Sequence, residues 1–343
     1  MSTFAQATPI PLPLLDGNTL LCDNSSMEKF TTCPRSAQYT LCRKLRTAGE
    51  RSALKFGGIT HKVLEARYRI QMPMLEQTPS IEASMLAVAE KEFAEYTPPE
   101  DDFRTFDTMS KLIVAYGLKY RYEDFTIVTF PDGTPFIEVP FMVPLGTINV
   151  SGPLLIQRLV RSPDGTIHKK GIPEYVTDLA TINLVWTGRI DLVYTTPTGG
   201  LYLMDHKTSS IATNMAEFEI SHQFYGYCHA VESLLGREVT GTVINRIVCR
   251  KPTRTGEAFT FERKLIPIQR GLVTEWRMDV LHIIADFIQM VQRGYLPKHT
   301  SWCVGKFGTC EFHKVCTLDT DEQREVMLGS GEYEENTWSP LST

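Results

Sequence analysis

The stretch WTGRIDLVYTTPTGGLYLMDHKTSS, residues 186–210, constrains the fold of this chain more than any other. Two runs rich in β-branched residues flank the turn signal PTGG, the pattern of a β-hairpin. Asp191 lies within the first run, and Asp205, His206 and Lys207 lie near the end of the second. Residues two apart on a strand share a face, so Asp205 and Lys207 project together. Asp191, on the partner strand, reaches that face if the register brings it there. Two carboxylates converging away from water repel one another, and each is costly to desolvate. A divalent cation is the usual compensation. An ammonium beside it can orient a water or stabilise charge developing on a phosphoryl oxygen. The pattern therefore suits metal-assisted phosphodiester hydrolysis. Taken alone, a D-x-K is also what a surface ion pair on a hairpin edge looks like.

The 343 residues are enough for one large or two modest domains, and a net charge of −5 gives no global attraction to a polyanion. Local grip remains open through CRKLR (42–46), HKK (168–170) and RKPTR (250–254), each of which also reads as a solvated face. The first residues lack a basic stretch and are broken by prolines, so they make a poor signal peptide. No uncharged apolar run reaches transmembrane length. A soluble, cytoplasmic protein without membrane partners is expected.

Along the chain, residues 1–24 read as an extended arm. SSME (25–28) reads as a capping box of Ser25 with Glu28, opening a helix that continues through CPRSAQYTLCRKLR. Further helices are expected over 56–70, 80–96, 105–122, 214–235 and 268–293. A hairpin is expected around the PDG turn, strands at TGTVINRIVCR and EAFTFERK, and extra hairpins in an insertion over 145–183. The expected fold class is α/β (α+β), a central mixed β-sheet flanked by helices. Residues 25–316 are expected as a single domain, with a helical part (25–122), a sheet core (123–265) and a C-terminal helix with a cysteine tail (266–316). Residues 317–343 form a final tail.

GRID (188–191), a hairpin, and DHKTS (205–209) resemble motifs II and III of the PD-(D/E)XK nuclease superfamily, more narrowly its RecB-like branch with Cas4 and the AddB nuclease domain. FGGITH (56–61) resembles that branch's G-x-x-x-H motif through Gly57 and His61. QFYGY (223–227) resembles its Q-x-x-x-Y motif through Gln223 and Tyr227, and Glu138 lies where the branch often has a glutamate. The resemblance implies a restriction-endonuclease-like core. It implies Mg²⁺ or Mn²⁺ on His61, Asp191, Asp205 and the backbone carbonyl of His206, with Lys207 positioning the attacking water. Gln223 and Tyr227, four apart on one helix face, would touch the DNA backbone or hold Lys207; they also read as a polar pair packing the helix on the sheet. Glu138 would be structural, or would bind a second metal or order a water. The imidazole of His206 is bulkier than the residue usual there, and reads either as a DNA contact or as a core neighbour.

Cys303, Cys310 and Cys316 form C-x6-C-x5-C, with Gly305, Lys306 and Gly308 making the loop tight and polar. Three cysteines this close suggest soft-metal ligation, and Cys33 in TCPRS is a fourth. The set resembles the cysteines that hold a [4Fe–4S] cluster in Cas4-like and AddB-like nucleases. Structural Zn²⁺ is the rival, although the short C-x2–4-C knuckle it favours is absent. Cys22, Cys42, Cys228 and Cys249 read as ordinary buried thiols, with Cys42 the substitute for Cys33 as fourth ligand.

The reading is a metal-dependent DNA exonuclease acting on single strands or duplex ends in recombination, repair or phage DNA metabolism, in a prokaryotic or phage-infected cytoplasm. No P-loop is present in the sequence, so unwinding would fall to a helicase or recombination partner. Two rivals remain: a DNA-end-binding or processing subunit with gated or vestigial activity, and a zinc-stapled interaction protein without catalysis.

Overall fold

The computed structural model describes residues 9–49, 51–70, 80–211, 214–251, 253, 256–305 and 308–336. The chain divides into two compact units, each assembled from separate segments: residues 50–140 with 189–270, and residues 1–49 with 141–188 and 271–343. The fold is mixed α/β, as expected.

The first unit holds helices α1 (Ser52–Ile70), α2 (Ile81–Ala94) and α3 (Phe106–Lys119). Its sheet is built from the end of β2 (Thr181–Thr195) with β3 (Leu201–Ser209), β4 (Gly241–Cys249) and β5 (Phe259–Pro267); β1 (Ile137–Asn149) begins here. Strands β2 and β3 run antiparallel around the PTGG turn, with Leu201 opposite Thr195 and Met204 opposite Leu192. Strands β3 and β4 are parallel, joined through α4 (His222–Leu235), and β5 returns antiparallel on β4.

Side-chain alternation divides this sheet cleanly. Met204, Val243 and Ile247 face a core shared with Val63, Leu64 and Tyr68 of α1, Met85 of α2 and Tyr116 of α3. The opposite face carries Ile244 and Ile266, which pack with Phe224 of α4. A carboxylate on β3 therefore meets either three apolar helices or α4, according to parity alone.

The second unit holds Leu12–Leu15 and Thr19–Cys22, two short strands where an extended arm was expected. They turn at Asp16 and Gly17, both with positive φ, and pair in parallel with Leu154–Arg161 and with residues 183–186 respectively. The 145–183 segment forms antiparallel pairs of Leu154–Arg161 with Ile167–Lys169 and Glu174–Val176. The helix after the second strand, Asn24–Thr32, is capped by Asp23 rather than Ser25: Asp23 Oδ1 accepts the Ser26 N–H at 2.7 Å. The strand ends at Cys22 and Asp23 is still extended, so it occupies the cap position before Asn24, where aspartate serves as well as serine. This helix does not continue. Cys33 is extended and Pro34 opens a separate turn of helix, because a proline inside the run would remove a helical N–H.

Phe30 of the Asn24–Thr32 helix packs on Phe287 at 4.2 Å and Trp186 of β2 on Trp276 at 5.3 Å, so α5 (Arg270–Gln292) rests on both that helix and that strand. The expected tail folds as helix Asp321–Leu328, with a capping box of Thr320 and Gln323, and a strand Tyr333–Glu335 paired with Leu45–Thr47. Among the described residues no helix is long and apolar enough to cross a membrane. Lys306 and part of the 250–254 basic stretch lie outside the described residues.

Candidate active site

Helix α1 delivers His61 because Gly57 lets it approach β3: a Cβ on Gly57 would crowd Thr208 Oγ1 at 2.9 Å. One turn further on, His61 Nε2 lies 3.0 Å from the carbonyl oxygen of His206. Its Nδ1 lies 3.2 Å from Glu138 Oε1 and 3.5 Å from Asp191 Oδ2. Glu138 has a left-handed backbone, φ 51°, a conformation that costs a non-glycine residue about 1–3 kcal/mol. That strain accompanies the approach of its carboxylate to His61.

Asp191 stands one residue beyond the Leu192–Met204 pair, and its Oδ2 accepts the His206 N–H at 2.6 Å. The His206 peptide is thus pinned at both ends, its N–H by Asp191 and its C=O by His61. Asp205 turns towards α4. Its Oδ1 accepts from Gln223 Nε2 at 2.9 Å and from Lys207 Nζ at 3.2 Å. Its Oδ2 is buried and 2.9 Å from the ammonium as an ion pair, yet accepts no hydrogen bond. Gln223 Oε1 accepts from Lys207 at 2.9 Å, and Gln223 Nε2 also donates to the Tyr227 hydroxyl at 2.9 Å. The glutamine therefore holds the lysine, and the tyrosine holds the glutamine.

Burial drives the carboxyl groups of Asp191 and Asp205 upward. For Asp191, His61 opposes the rise and Glu138 adds to it; for Asp205, Lys207 opposes and Asp191 adds, leaving it at about 6. Burial works against the charge of His61, but Asp191, Glu138 and Asp205 outweigh it and lift the imidazole to about 9. The pocket carries more negative charge than its own side chains neutralise.

Oxygen and nitrogen ligands at ~2.0–2.4 Å from a divalent ion lie roughly 3–4.5 Å from one another. Single ligand atoms of His61, Glu138 and Asp191 all fall within 4.8 Å of each other. The His206 carbonyl and the orphaned Oδ2 of Asp205 are further donors, and this hard, oxygen-rich set suits Mg²⁺ or Mn²⁺. Relative to the expected ligands, the structure groups Glu138 with His61 and Asp191 and leaves Asp205 outside that trio, beside Lys207.

Behind the pocket lies a buried polar row that the sequence reading missed. His206, Asn245 and Arg263 are direct cross-strand neighbours on β3, β4 and β5. Asn245 Nδ2 donates to His206 Nδ1 at 2.9 Å and to the Tyr116 hydroxyl at 2.8 Å, and Arg263 Nε donates to Asn245 Oδ1 at 3.3 Å. Tyr68 stacks on the His206 ring at 5.7 Å. Glu123 then joins Arg263 (2.6 Å) to the fully buried Arg67 (3.0 Å). Burial, reinforced by the charges of His61, Arg263 and Lys207, keeps His206 neutral, its pKa well below the usual range. His206 is thus a core neighbour whose ring fixes the peptide between the two aspartates. The overlooked signal was Arg67, an arginine on the apolar stripe of α1 that had to find a buried partner.

The chain's residues 24–317 match the family profile of the PD-(D/E)XK nuclease superfamily. The chain belongs to that superfamily. This PD-(D/E)XK nuclease also aligns with two solved structures. One is a Eubacterium rectale protein provisionally named an exonuclease (10% identity, 87% of this chain and 89% of that one, TM-score 0.46). The other is the protein SSO0001 (13% identity, 79% and 76%, TM-score 0.29). No curated protein matches the chain.

The expected cluster cysteines all belong to the second unit of the nuclease. Cys33, Cys303, Cys310 and Cys316 are half-buried free thiols, and the Cys310 N–H donates to the Cys303 carbonyl at 2.9 Å. Burial raises the thiols of Cys310 and Cys316, and the proximity of Cys33 adds to both. No three of these sulfurs lie within 4.8 Å of one another. Four thiolates on one zinc, at ~2.3 Å from it, would stand about 3.8 Å apart.

Proposed function

We propose that this nuclease is a metal-dependent DNA exonuclease that takes single strands or duplex ends in recombination, repair or phage DNA metabolism. The observation that carries the proposal is the convergence of His61, Glu138 and Asp191 beside the Asp205–Lys207 pair in a chain of this superfamily. His61, Asp191, Asp205 and the His206 carbonyl would hold Mg²⁺ or Mn²⁺, with Glu138 as a further carboxylate. A cation held there would supply polarisation of the phosphate and a water of lowered pKa. Lys207, held between Asp205 and Gln223, orients the attacking water and stabilises charge on the phosphoryl oxygen. Tyr227 keeps Gln223 in place, so the ammonium is positioned before substrate arrives.

The same proposal gives Cys33, Cys303, Cys310 and Cys316 to a [4Fe–4S] cluster that ties the Asn24–Thr32 helix to the C-terminal segment. A cytoplasmic setting and a helicase or recombination partner complete the reading. The test follows digestion of end-labelled single- and double-stranded DNA with Mn²⁺, Mg²⁺ or EDTA, alongside Lys207→Ala. Degradation that requires metal and Lys207 supports the proposal. Activity that persists in EDTA or in the variant refutes it.

A further inference from the structure

The cysteine-bearing unit contains a cleft of about 1080 Å³, beyond the ~300–1,000 Å³ of most small-molecule sites. Four arginines line it: Arg35, Arg43, Arg293 and Arg324. Two are spent internally, since Arg43 makes a bidentate pair with Glu325 at 2.6 and 2.7 Å, and Arg324 pairs with Asp321. The other two meet only neutral acceptors among the described residues. Arg35 Nε donates to the Leu296 carbonyl at 2.8 Å, and Arg293 donates to Gln289 Oε1 at 3.3 Å.

The basic stretches 42–46 and 168–170 also meet at this end of the unit. Lys169 Nζ donates to the Arg43 carbonyl at 3.0 Å and lies 3.2 Å from Glu335. Burial, and then the nearby charge of Lys169, lowers the pKa of Lys44.

The walls are aromatic as well as basic. Tyr295 is 57% exposed with the Arg35 guanidinium 5.4 Å from its ring centre, and Tyr175 is 65% exposed. Cationic side chains with exposed aromatic faces are the combination that grips unpaired nucleotides: phosphates take the charge and bases stack.

We propose that this cleft is a second DNA-binding site, taking a single-stranded segment with phosphates on Arg35 and Arg293 and a base on Tyr295. It rests on the nuclease reading for the identity of the strand, but requires no cleavage. The test measures binding of fluorescein-labelled oligo(dT) to the full-length Lys207→Ala protein in EDTA, with and without Arg293→Ala or Tyr295→Ser, and with melting temperature as the check on folding. Tyr295→Ser is expected to weaken binding about tenfold, in line with stacking energies per base. Arg293→Ala, at an exposed position, is expected to lower the slope of log affinity against log salt by about 0.7. Unchanged affinity and slope in both variants would overturn the proposal. So would an equal loss with a duplex of the same length, or dTMP binding as tightly as the oligonucleotide. Failure of the nuclease reading would appear separately, as a wild type that digests nothing while this binding persists.

Discussion

The acid pocket and the cysteine-bearing unit are each held together by different physics. Around the pocket, polar groups are buried and chained: His206 to Asn245, Asn245 to Arg263, Arg263 to Glu123 and Glu123 to Arg67. In the cysteine-bearing unit, a small apolar cluster of Tyr39, Phe312, Val315, Leu328 and Tyr333 is accompanied by partly exposed pairs such as Arg43–Glu325. The first arrangement fixes its geometry without any ligand, because each group is costly to leave unpaired. The second carries four half-buried free thiols among partly exposed neighbours. Preorganisation is thus a property of the acid pocket.

The largest effect expected from this contrast is on chemistry. Asp191→Asn should lower DNA hydrolysis on the order of 10³-fold, as loss of a central charge-stabilising group does. Its metal-free melting temperature should hold or rise, since the substitution removes a buried carboxylate crowded by Glu138. A matching fall in stability would show that Asp191 is structural instead.

Next come the ion pairs. Glu123→Leu removes the carboxylate shared by the buried guanidinium of Arg67 and the partly exposed one of Arg263, and should cost about 3–5 kcal/mol in urea unfolding. Glu325→Gln, on a partly exposed pair, should cost under ~1 kcal/mol. Equal costs would erase the distinction between the two regions.

Asn245→Leu tests whether the rear row serves the pocket. Loss of an outer hydrogen bond to a residue next to the ligands should weaken Mn²⁺ binding about 10- to 100-fold. A change in stability alone would reduce the row to scaffolding.

The smallest effect concerns thiol chemistry. Burial pushes Cys42 and Cys228 up to about 12 and Cys249 to about 11, so at pH 8 they remain protonated. They should become reactive only as pH approaches those values or the chain unfolds. Alkylation of the folded, iron-free protein at pH 8, read by peptide mass, should therefore mark Cys33, Cys303, Cys310 and Cys316 first. Reconstitution with iron and sulfide should protect those four, and labelling of Cys42 ahead of them would break the account.

What could be read in the sequence was local. The hairpin, the Gly57–His61 spacing and the Gln223–Tyr227 spacing each lie within one or two elements, where periodicity determines which side chains share a face. The partnership of Glu123 with Arg67 and Arg263 was not legible, because it depends on a three-strand register and on where α1 comes to rest. Grouping of Glu138 with His61 and Asp191 in place of Asp205 depends on a left-handed backbone that no propensity favours for glutamate. The first strands were hidden by prolines in PIPLPLL, although DGN between two apolar runs was a turn signal. Asp23 displaced Ser25 as the helix cap because the preceding strand, and not the cap residue, determined where the helix could begin.

Mn²⁺ binding to the purified protein, followed by electron paramagnetic resonance without DNA, tests the central claim most directly. The account expects a bound ion in the wild type and in Lys207→Ala, and its loss in Asp191→Asn and His61→Ala. Equal binding by all four proteins, or none in the wild type, would contradict a metal pocket preformed by His61, Glu138 and Asp191.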